Sequence, residues 1–283
     1  MTGHDPAGHG RKERLGVENF WLALGLTLLA GLCTGLGGLA SVVPRRTSGP
    51  FLSVALGFSA GVMLYVSFLE IMPKALQSLT AATDPAAGQW AAVAAFFGGV
   101  LVIGVIDRLV PEPINPHEPG QVHDPATAAR RRRMMKTGTV TALAIGIHNF
   151  PEGFATFIAG LTDLSVALPV ALAIALHNIP EGVAVAVPIR EATGSRRTAV
   201  RWSFLSGLAE PAGALIGFAL LMPFMNDFTL GVTFAVVAGI MVFISLDELL
   251  PTAREYGKHH LAMYGLVAGM AVMAVSLLLF ATV

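Results

Sequence analysis

Eight apolar runs, each long enough to cross a lipid bilayer as a helix, constrain this chain more than any other feature. A membrane-spanning helix needs about 20 predominantly apolar residues, and eight such runs with their connectors occupy nearly all of the 283 residues. The predicted spans are Phe20–Val43, Phe51–Leu79, Trp90–Val110, Thr137–Gly160, Leu164–Ile189, Thr198–Pro223, Thr229–Leu250 and Leu261–Ala281. The sequence therefore predicts a single all-α integral membrane domain over residues 1–283, with the lipid bilayer as its surroundings.

Composition narrows the functional classes further. Charged residues make up only 13% of the chain and hydrophobic residues 54%, which is too apolar for a soluble domain. The formal net charge is zero, and no nucleic-acid partner is predicted. Cys33 is the only cysteine, so an intrachain disulfide and a thiolate zinc cluster are excluded. Any metal site must use His, Glu, Asp, Asn or Met, and a homodimer is compatible with the sequence.

The basic residues are distributed unevenly and predict the topology. Of the 18 Lys and Arg residues, 14 lie in or beside the loops after spans one, three, five and seven. By the positive-inside rule these loops are cytoplasmic. The protein is then predicted to lie in the cell (inner) membrane with both termini on the outer side. The polar N-terminal tail, residues 1–17, argues the other way with Arg11, Lys12 and Arg14, but three charges do not outweigh fourteen.

One polar connector is long, at residues 111–136. It is rich in Pro and holds His117 and His123 ahead of the run Arg130–Arg133. We expect a flexible cytoplasmic loop whose basic cluster fixes the topology. Weak metal capture by its two histidines is the alternative.

Two halves of the chain repeat each other. Ala60–Met63 matches Ala238–Met241 at an offset of 178 residues, and the same offset pairs Glu70 with Glu248. A weaker match at an offset of 176 pairs Gly31 with Gly207 and Thr34 with Glu210. Repeats five helices apart cross the membrane in opposite directions, so the expected architecture is an inverted repeat in a 3+2+3 arrangement.

The two middle helices carry a repeated polar motif. His148–Gly153 reads His-Asn-Phe-Pro-Glu-Gly, and His177–Gly182 reads His-Asn-Ile-Pro-Glu-Gly. Ionisable residues inside a membrane span indicate a functional site by default. Antiparallel neighbours joined by a tight turn near residues 161–163 place the two copies within about 8 Å of the same depth. The sequence thus predicts one site between two helices.

The residue types of the motif favour a metal ion. On a helix, His and Glu at positions i and i+4 lie on one face, so His148 can act with Glu152, and His177 with Glu181. Asn149 and Asn178 add amide oxygens, which makes either glutamate suitable as a bridging ligand. Imidazole, carboxylate and amide ligands suit Zn²⁺, with Fe²⁺, Mn²⁺, Co²⁺ and Cd²⁺ as alternatives. The competing interpretation is polar packing between helices.

Further candidate ligands lie outside the motif. Glu210, followed by Pro211 within span six, is the natural third carboxylate. Glu70 and Glu248 occupy related positions near opposite ends of spans two and seven, and are predicted to serve the uptake and release sides. Met63 is a soft residue near Glu70 that more often packs than binds.

These residues resemble the ZIP (Zrt-, Irt-like protein) family of divalent metal transporters, over spans one to eight. The paired His-Asn-x-Pro-Glu-Gly motifs carry most of the resemblance, supported by the segments 207–210 and 245–251. The resemblance implies a binuclear transport site in which His148, Glu152, His177 and Glu181 hold one ion. It implies a second ion held by Asn149, Asn178, Glu181 and Glu210. Some family members have Asp at the position of Asn178, so the second site here has one negative charge fewer.

A metal uptake carrier working by alternating access is the preferred hypothesis. An intramembrane metalloenzyme is disfavoured, because the order His-x-x-x-Glu differs from the Glu-x-x-His of di-iron proteins and no His-Glu-x-x-His occurs. A selective channel remains the third hypothesis.

Overall fold

The computed structural model contains eight long helical elements that follow the predicted spans. It describes residues 19–43, 48–109, 125–162, 164–224, 226–256 and 259–281, and these segments contain no β-strand. The helices are α1 (Phe20–Val42), α2 (Gly49–Ala82), α3 (Pro85–Leu109), α4 (Pro125–Thr162), α5 (Leu164–Thr193), α6 (Arg196–Gly207 and Ala209–Leu221), α7 (Asp227–Tyr256) and α8 (His259–Ala281). The predicted all-α fold is confirmed.

Helix α4 differs from the other seven in its composition. Seven of the described helices are long and apolar enough to cross a membrane, and α4 is not among them. Its centre carries Asn149, Pro151 and Glu152, which lower its hydropathy. It packs against α1, α5, α6 and α7, so protein rather than lipid surrounds its polar centre. The helix that bears the first motif is thus an interior helix.

The prediction of a loop over residues 111–136 is wrong for its second half, which is helical from Pro125. Helix α4 begins at Pro125 and continues without interruption through Arg130–Arg133. Proline is favoured in the first turn of a helix, and the Ala, Arg, Met and Lys residues that follow are good helix formers. His117 and His123 lie outside the described residues, as does the predicted tail at 1–17.

Helices α2, α6 and α7 begin with hydrogen-bonded caps. The Ser48 hydroxyl accepts a hydrogen bond from the Phe51 backbone N–H at 3.4 Å, and the Ser195 hydroxyl accepts one from Thr198 at 3.2 Å. Asn226 forms a reciprocal capping box with Thr229, a motif that fixes a helix start. We call the side with the connections α1–α2, α3–α4, α5–α6 and α7–α8 the basic face, and the other side the opposite face.

The helices associate in two groups of four. In the first group, α1, α4, α5 and α6 pack together, and in the second group α2 packs on α8 and on α7, which also packs on α3. The main contacts between the groups join α2 to α5, with a smaller contact between α4 and α7. Both motif helices therefore belong to the first group and border the second.

The inverted repeat is visible in the backbone. A single π-helical turn interrupts α2 at Ser67–Ile71, and another interrupts α7 at Ser245–Leu249. These turns are separated by the predicted offset of 178 residues. In each, the serine hydroxyl donates to a methionine carbonyl at 2.7 Å. The stronger of the two predicted sequence matches thus corresponds to a matched local distortion.

The weaker sequence match, which pairs Gly31 with Gly207, corresponds to a direct contact in the structure. A Cβ atom added to Gly31 would lie 2.4 Å from the Gly207 carbonyl oxygen, and one added to Gly207 would lie 2.1 Å from that of Gly31. Two related glycines that contact each other must lie close to the pseudo-twofold axis that relates the halves. Their missing side chains allow α1 and α6 to cross in backbone contact.

Candidate metal-binding site

The polar motif residues lie in the interior of the first helix group. Asn149, Glu152, His177, Asn178 and Glu181 have no solvent exposure, and neither has Glu210. The His148 side chain lies outside the described part of the chain. Burying a carboxylate costs several kcal/mol unless a partner compensates its charge. The contacts of these residues therefore indicate what the site can hold.

Two motif glycines bring the neighbouring helices against the site. A Cβ atom on Gly153 would lie 2.0 Å from the Glu210 carbonyl oxygen of α6, and one on Gly182 would lie 1.8 Å from the Thr34 carbonyl oxygen of α1. Thr34 is the residue related to Glu210 by the repeat. The glycine of each motif thus contacts the backbone of a neighbouring helix. Only on α6 does the contacting residue, Glu210, carry a carboxylate.

The two asparagines are oriented by backbone carbonyls on those same helices. The Asn178 Nδ2 donates to the Ala30 carbonyl at 2.9 Å and also to the Glu210 carboxylate. The Asn149 Nδ2 donates to the Ser206 carbonyl at 3.3 Å. Because these partners are all acceptors, the nitrogen must face them and each Oδ1 must point the other way. Both amide oxygens are buried without a hydrogen-bond partner among the described residues.

His177 faces a carboxylate with its outer nitrogen. Its Nδ1 lies 3.0 Å from the Ala173 carbonyl, an acceptor, so this nitrogen carries a hydrogen. Its Nε2 lies 3.4 Å from the Glu152 Oε2. In the neutral ring the Nε2 lone pair then points at a carboxylate oxygen, and only a proton or a cation between the two atoms makes that contact favourable. A histidine whose other nitrogen donates to a carbonyl is the usual arrangement of a metal ligand.

Three carboxylates lie near one another in this interior. Glu210 interacts electrostatically with both Glu152 and Glu181, and like charges brought together in a buried site repel. One oxygen of Glu152 and one of Glu210 have no hydrogen-bond partner in the described structure. A buried acceptor without a donor costs about 1–3 kcal/mol, and more if charged. These carboxylate oxygens and the two amide oxygens are atom types that suit a divalent cation.

Any metal site formed by these atoms depends on the asparagines. Within the described ranges, no three side chains of His, Cys, Asp or Glu group as ligands of one ion. Amide oxygens must then complete the coordination that carboxylate and imidazole begin, together with whatever the His148 side chain contributes.

Ser59 is a site residue that the sequence analysis missed. Its hydroxyl lies 3.2 Å from the His177 carbonyl oxygen and 3.4 Å from the Glu181 Oε1, so it reaches from α2 of the second group to the motif of α5. A serine among small residues in an apolar helix has no sequence signal of its own. Its repeat partner is Val237, which has no hydroxyl, so only one motif is held in this way.

Two cavities lie on either side of the site. The first cavity has a volume of about 20 Å³ and is lined by Lys74, Glu152 and apolar residues that include Ile71 and Phe234. The second has a volume of about 10 Å³ and is lined by Glu248, Thr141 and Thr252 among others. The first extends toward the opposite face and the second toward the basic face. Only the first has a motif carboxylate in its lining.

The outlying candidate residues are not in the central cluster. Glu70 forms an ion pair with Lys74, and both side chains are partly exposed, at 20% and 23%. Glu248 lines the cavity on the side of the basic face. Met63 is fully buried in the main hydrophobic core, as is its repeat partner Met241. Their predicted roles in metal binding stay predictions.

The chain is similar to a known protein family over most of its length. The family model for the ZIP zinc transporter matches residues 18–137 and 112–277, which together cover most of the chain. The chain belongs to the ZIP family. Membership of this family makes it a membrane transporter of divalent metal and not an enzyme.

Individual relatives in this family are similar over almost their whole length. The zinc transporter ZupT of Corynebacterium glutamicum is 67% identical over 259 residues, which is 91% of this chain and 98% of the relative. The zinc transporter ZupT of Streptococcus mutans is 59% identical over 263 residues, 93% of this chain and 99% of the relative. That of Clostridium perfringens is 54% identical over 278 residues, 93% of this chain and 98% of the relative.

Proposed function

We propose that this protein carries Zn²⁺ into the cytoplasm through two adjoining ion positions between α4, α5 and α6. The buried oxygens of Asn149, Glu152, Asn178 and Glu210, which have no hydrogen-bond partner among the described residues, carry this proposal. The names of the relatives, which are zinc transporters, favour zinc as the substrate. Fe²⁺, Mn²⁺, Co²⁺ and Cd²⁺ suit the same donor atoms and are the competitors to test.

In this scheme the first ion is held by His148, Glu152, His177 and Glu181. Because Glu152, His177 and Glu181 do not group as ligands of one ion in the described structure, zinc binding would draw these side chains closer together. The contact between Glu152 and His177 supports their joint use, since a cation between them would remove the opposition of two lone pairs. The Ser59 hydroxyl orients Glu181 toward the same position.

The second ion is held by Asn149, Asn178, Glu181 and Glu210. The hydrogen bond from the Asn178 Nδ2 to Glu210 places these two side chains side by side, and the Asn178 amide would have to turn its oxygen toward an ion that both residues bind. Glu181, shared between the two positions, is the residue through which an ion passes from one to the other. Asn178 is neutral, so this position carries less negative charge than one with a third carboxylate, and zinc should bind there more weakly.

Transport requires that the site open to one face at a time. The cavity that reaches Glu152 provides the route from the opposite face, and the one lined by Glu248 provides the route to the basic face. The first helix group carries all the proposed ligands, so its displacement along α2 and α7 would transfer the ions between the two routes. We assign the basic face to the cytoplasm from its Lys and Arg residues, with both termini outside.

Uptake into proteoliposomes tests the proposal directly. Purified protein should take up labelled zinc with saturation, and unlabelled Fe²⁺, Mn²⁺, Co²⁺ and Cd²⁺ should compete to different degrees. Parallel assays with and without a pH gradient identify the driving force. If protein-containing and empty liposomes take up zinc equally, zinc transport is wrong.

A further inference from the structure

An ammonium group lies at the mouth of the cavity through which a cation would enter. Lys74 and Glu152 are the two charged residues in the lining of that cavity, and the other lining residues are apolar. A positive charge on a cation route is unexpected, because it lowers the local concentration of divalent cations. Lys74 is not isolated, however, since it forms an ion pair with Glu70 one turn away on α2.

The two repeats both have a glutamate in the π-turn, but only the first has a lysine four residues later. Glu70 lies in the π-turn of α2, and Glu248 lies in the equivalent π-turn of α7. The cavity linings correspond in the same way, with Ile71 related to Leu249. Thr252, which lines the second cavity, occupies the position related to Lys74. The two routes thus have a carboxylate at related positions, whereas the position of Lys74 is taken by Thr252 on the second route.

We propose that Lys74 sets the apparent zinc affinity on the uptake side by neutralising Glu70. This inference rests on the proposed function and adds a specificity-determining residue to it. In the paired state the negative charge of Glu70 and the positive charge of Lys74 compensate each other, so the pair has no net charge to attract or repel an arriving ion. The carboxylate attracts zinc only when the lysine releases it.

Opposite consequences follow for the two members of the pair. Lys74→Gln removes the ammonium and leaves Glu70 as a free carboxylate beside the route, so the KM for zinc should fall by about threefold or more. Glu70→Gln leaves an unpaired ammonium in the cavity mouth, so the KM should rise by a similar factor. The double variant Glu70→Gln/Lys74→Gln, which is neutral like the ion pair, should return close to the wild-type KM.

The test measures initial rates of zinc uptake in proteoliposomes for these variants, with zinc supplied on the side of the opposite face. Lys74→Arg is the matched control that keeps the charge, and it should retain the wild-type KM. Asp84→Asn removes an exposed charge between α2 and α3 on the same face, and it should also leave the KM unchanged. The KM changes should shrink as ionic strength rises, because the pair is partly exposed, whereas kcat should change less than KM.

A purely structural role would give a different pattern. Single variants would then both lower kcat or the yield of folded protein, and their KM values would not move in opposite directions. That result, or an unchanged KM in all variants, overturns the inference while wild-type transport still supports the proposed function. If Lys74→Gln does not fold, Glu70→Gln decides alone, since an unchanged or lowered KM is incompatible with an unpaired ammonium. Absence of saturable uptake by the wild type would instead remove the proposed function itself.

Discussion

The hydrogen bonds of Asn178 predict that Asn178→Asp destabilises the metal-free protein and strengthens its response to zinc. The Asn178 Nδ2 donates to the Ala30 carbonyl at 2.9 Å and to the Glu210 carboxylate. A carboxylate in its place has no hydrogen to donate and would oppose two acceptors. A bound zinc ion would reverse this effect, because it attracts both carboxylates.

The expected destabilisation follows from the loss of these two hydrogen bonds. The bond to a neutral carbonyl is worth about 1 kcal/mol and the bond to a charged group about 2 kcal/mol, so the free energy of unfolding should fall by about 3 kcal/mol without metal. At one fixed zinc concentration, about 100 times the Kd of the variant, zinc restores about 2.7 kcal/mol to the variant and less to the wild type, whose site lacks the added carboxylate. A protonated carboxyl could still donate one hydrogen bond, so the destabilisation should increase as pH is raised.

Asn149→Asp is the matched control at the related position. In the described structure the Asn149 Nδ2 donates one hydrogen bond, to the Ser206 carbonyl at 3.3 Å, so we expect a loss of about 1 kcal/mol or less. Denaturant unfolding in detergent, with a chelator and then with zinc, measures both variants. Equal unfolding midpoints for the two variants in chelator would refute the reasoning, as would a zinc response of Asn178→Asp no larger than that of the wild type.

Three other substitutions test the site. Glu181→Ala should fold and insert in the membrane but lose zinc uptake, since it removes the carboxylate proposed to touch both ions. Gly182→Ala should lower stability by about 1–3 kcal/mol, because the added Cβ would lie 1.8 Å from the Thr34 carbonyl oxygen; thermal unfolding in detergent measures this loss. Ser59→Ala should cost about 1 kcal/mol and change the zinc KM by up to about fivefold, since it removes the hydrogen bond that the Ser59 hydroxyl of α2 makes to Glu181; flux assays measure the change.

Each of these has a control in the same chain. Glu255→Ala removes an exposed carboxylate at the basic face and should keep full uptake. Gly25→Ala adds a Cβ with nothing within 4 Å and should leave stability unchanged or slightly higher. Ser53→Ala removes a buried hydroxyl of α2 that has no hydrogen-bond partner in the described structure, and it should leave the zinc KM unchanged. A control that behaves like its paired variant contradicts the assigned contact.

The sequence predicted the helices and the repeat because both depend on patterns along the chain. Apolar length determines which segments cross a membrane, and the register between Glu70 and Glu248 indicates that α2 and α7 are related. The helical start of α4 at Pro125 was missed because the prediction relied on apolar runs, which do not detect a polar helix extending beyond the bilayer. The π-turn at Ser67–Ile71 was also missed, since no residue type marks an added residue in a helical turn.

The sequence predicted which residues are candidate ligands, but it did not predict the contacts between them. The repeated motif identified Asn149 and Asn178 as candidate ligands. Their orientation depends on the carbonyls of Ala30 and Ser206, which only the packing of α1 and α6 brings into reach. Ser59 was missed for the same reason. Contacts between distant helices depend on how closely small residues allow the backbones to approach, and a single sequence does not give that distance.

Zinc counterflow tests the central claim most directly, because it requires an ion site that alternates between two faces. Proteoliposomes loaded with unlabelled zinc are placed in a trace of labelled zinc, and accumulation of the label is followed for the wild type and for Glu181→Ala. A carrier with the proposed site predicts transient, saturable accumulation by the wild type and none by the variant. Label that only equilibrates, without saturation, or equal accumulation by both proteins, would contradict the account.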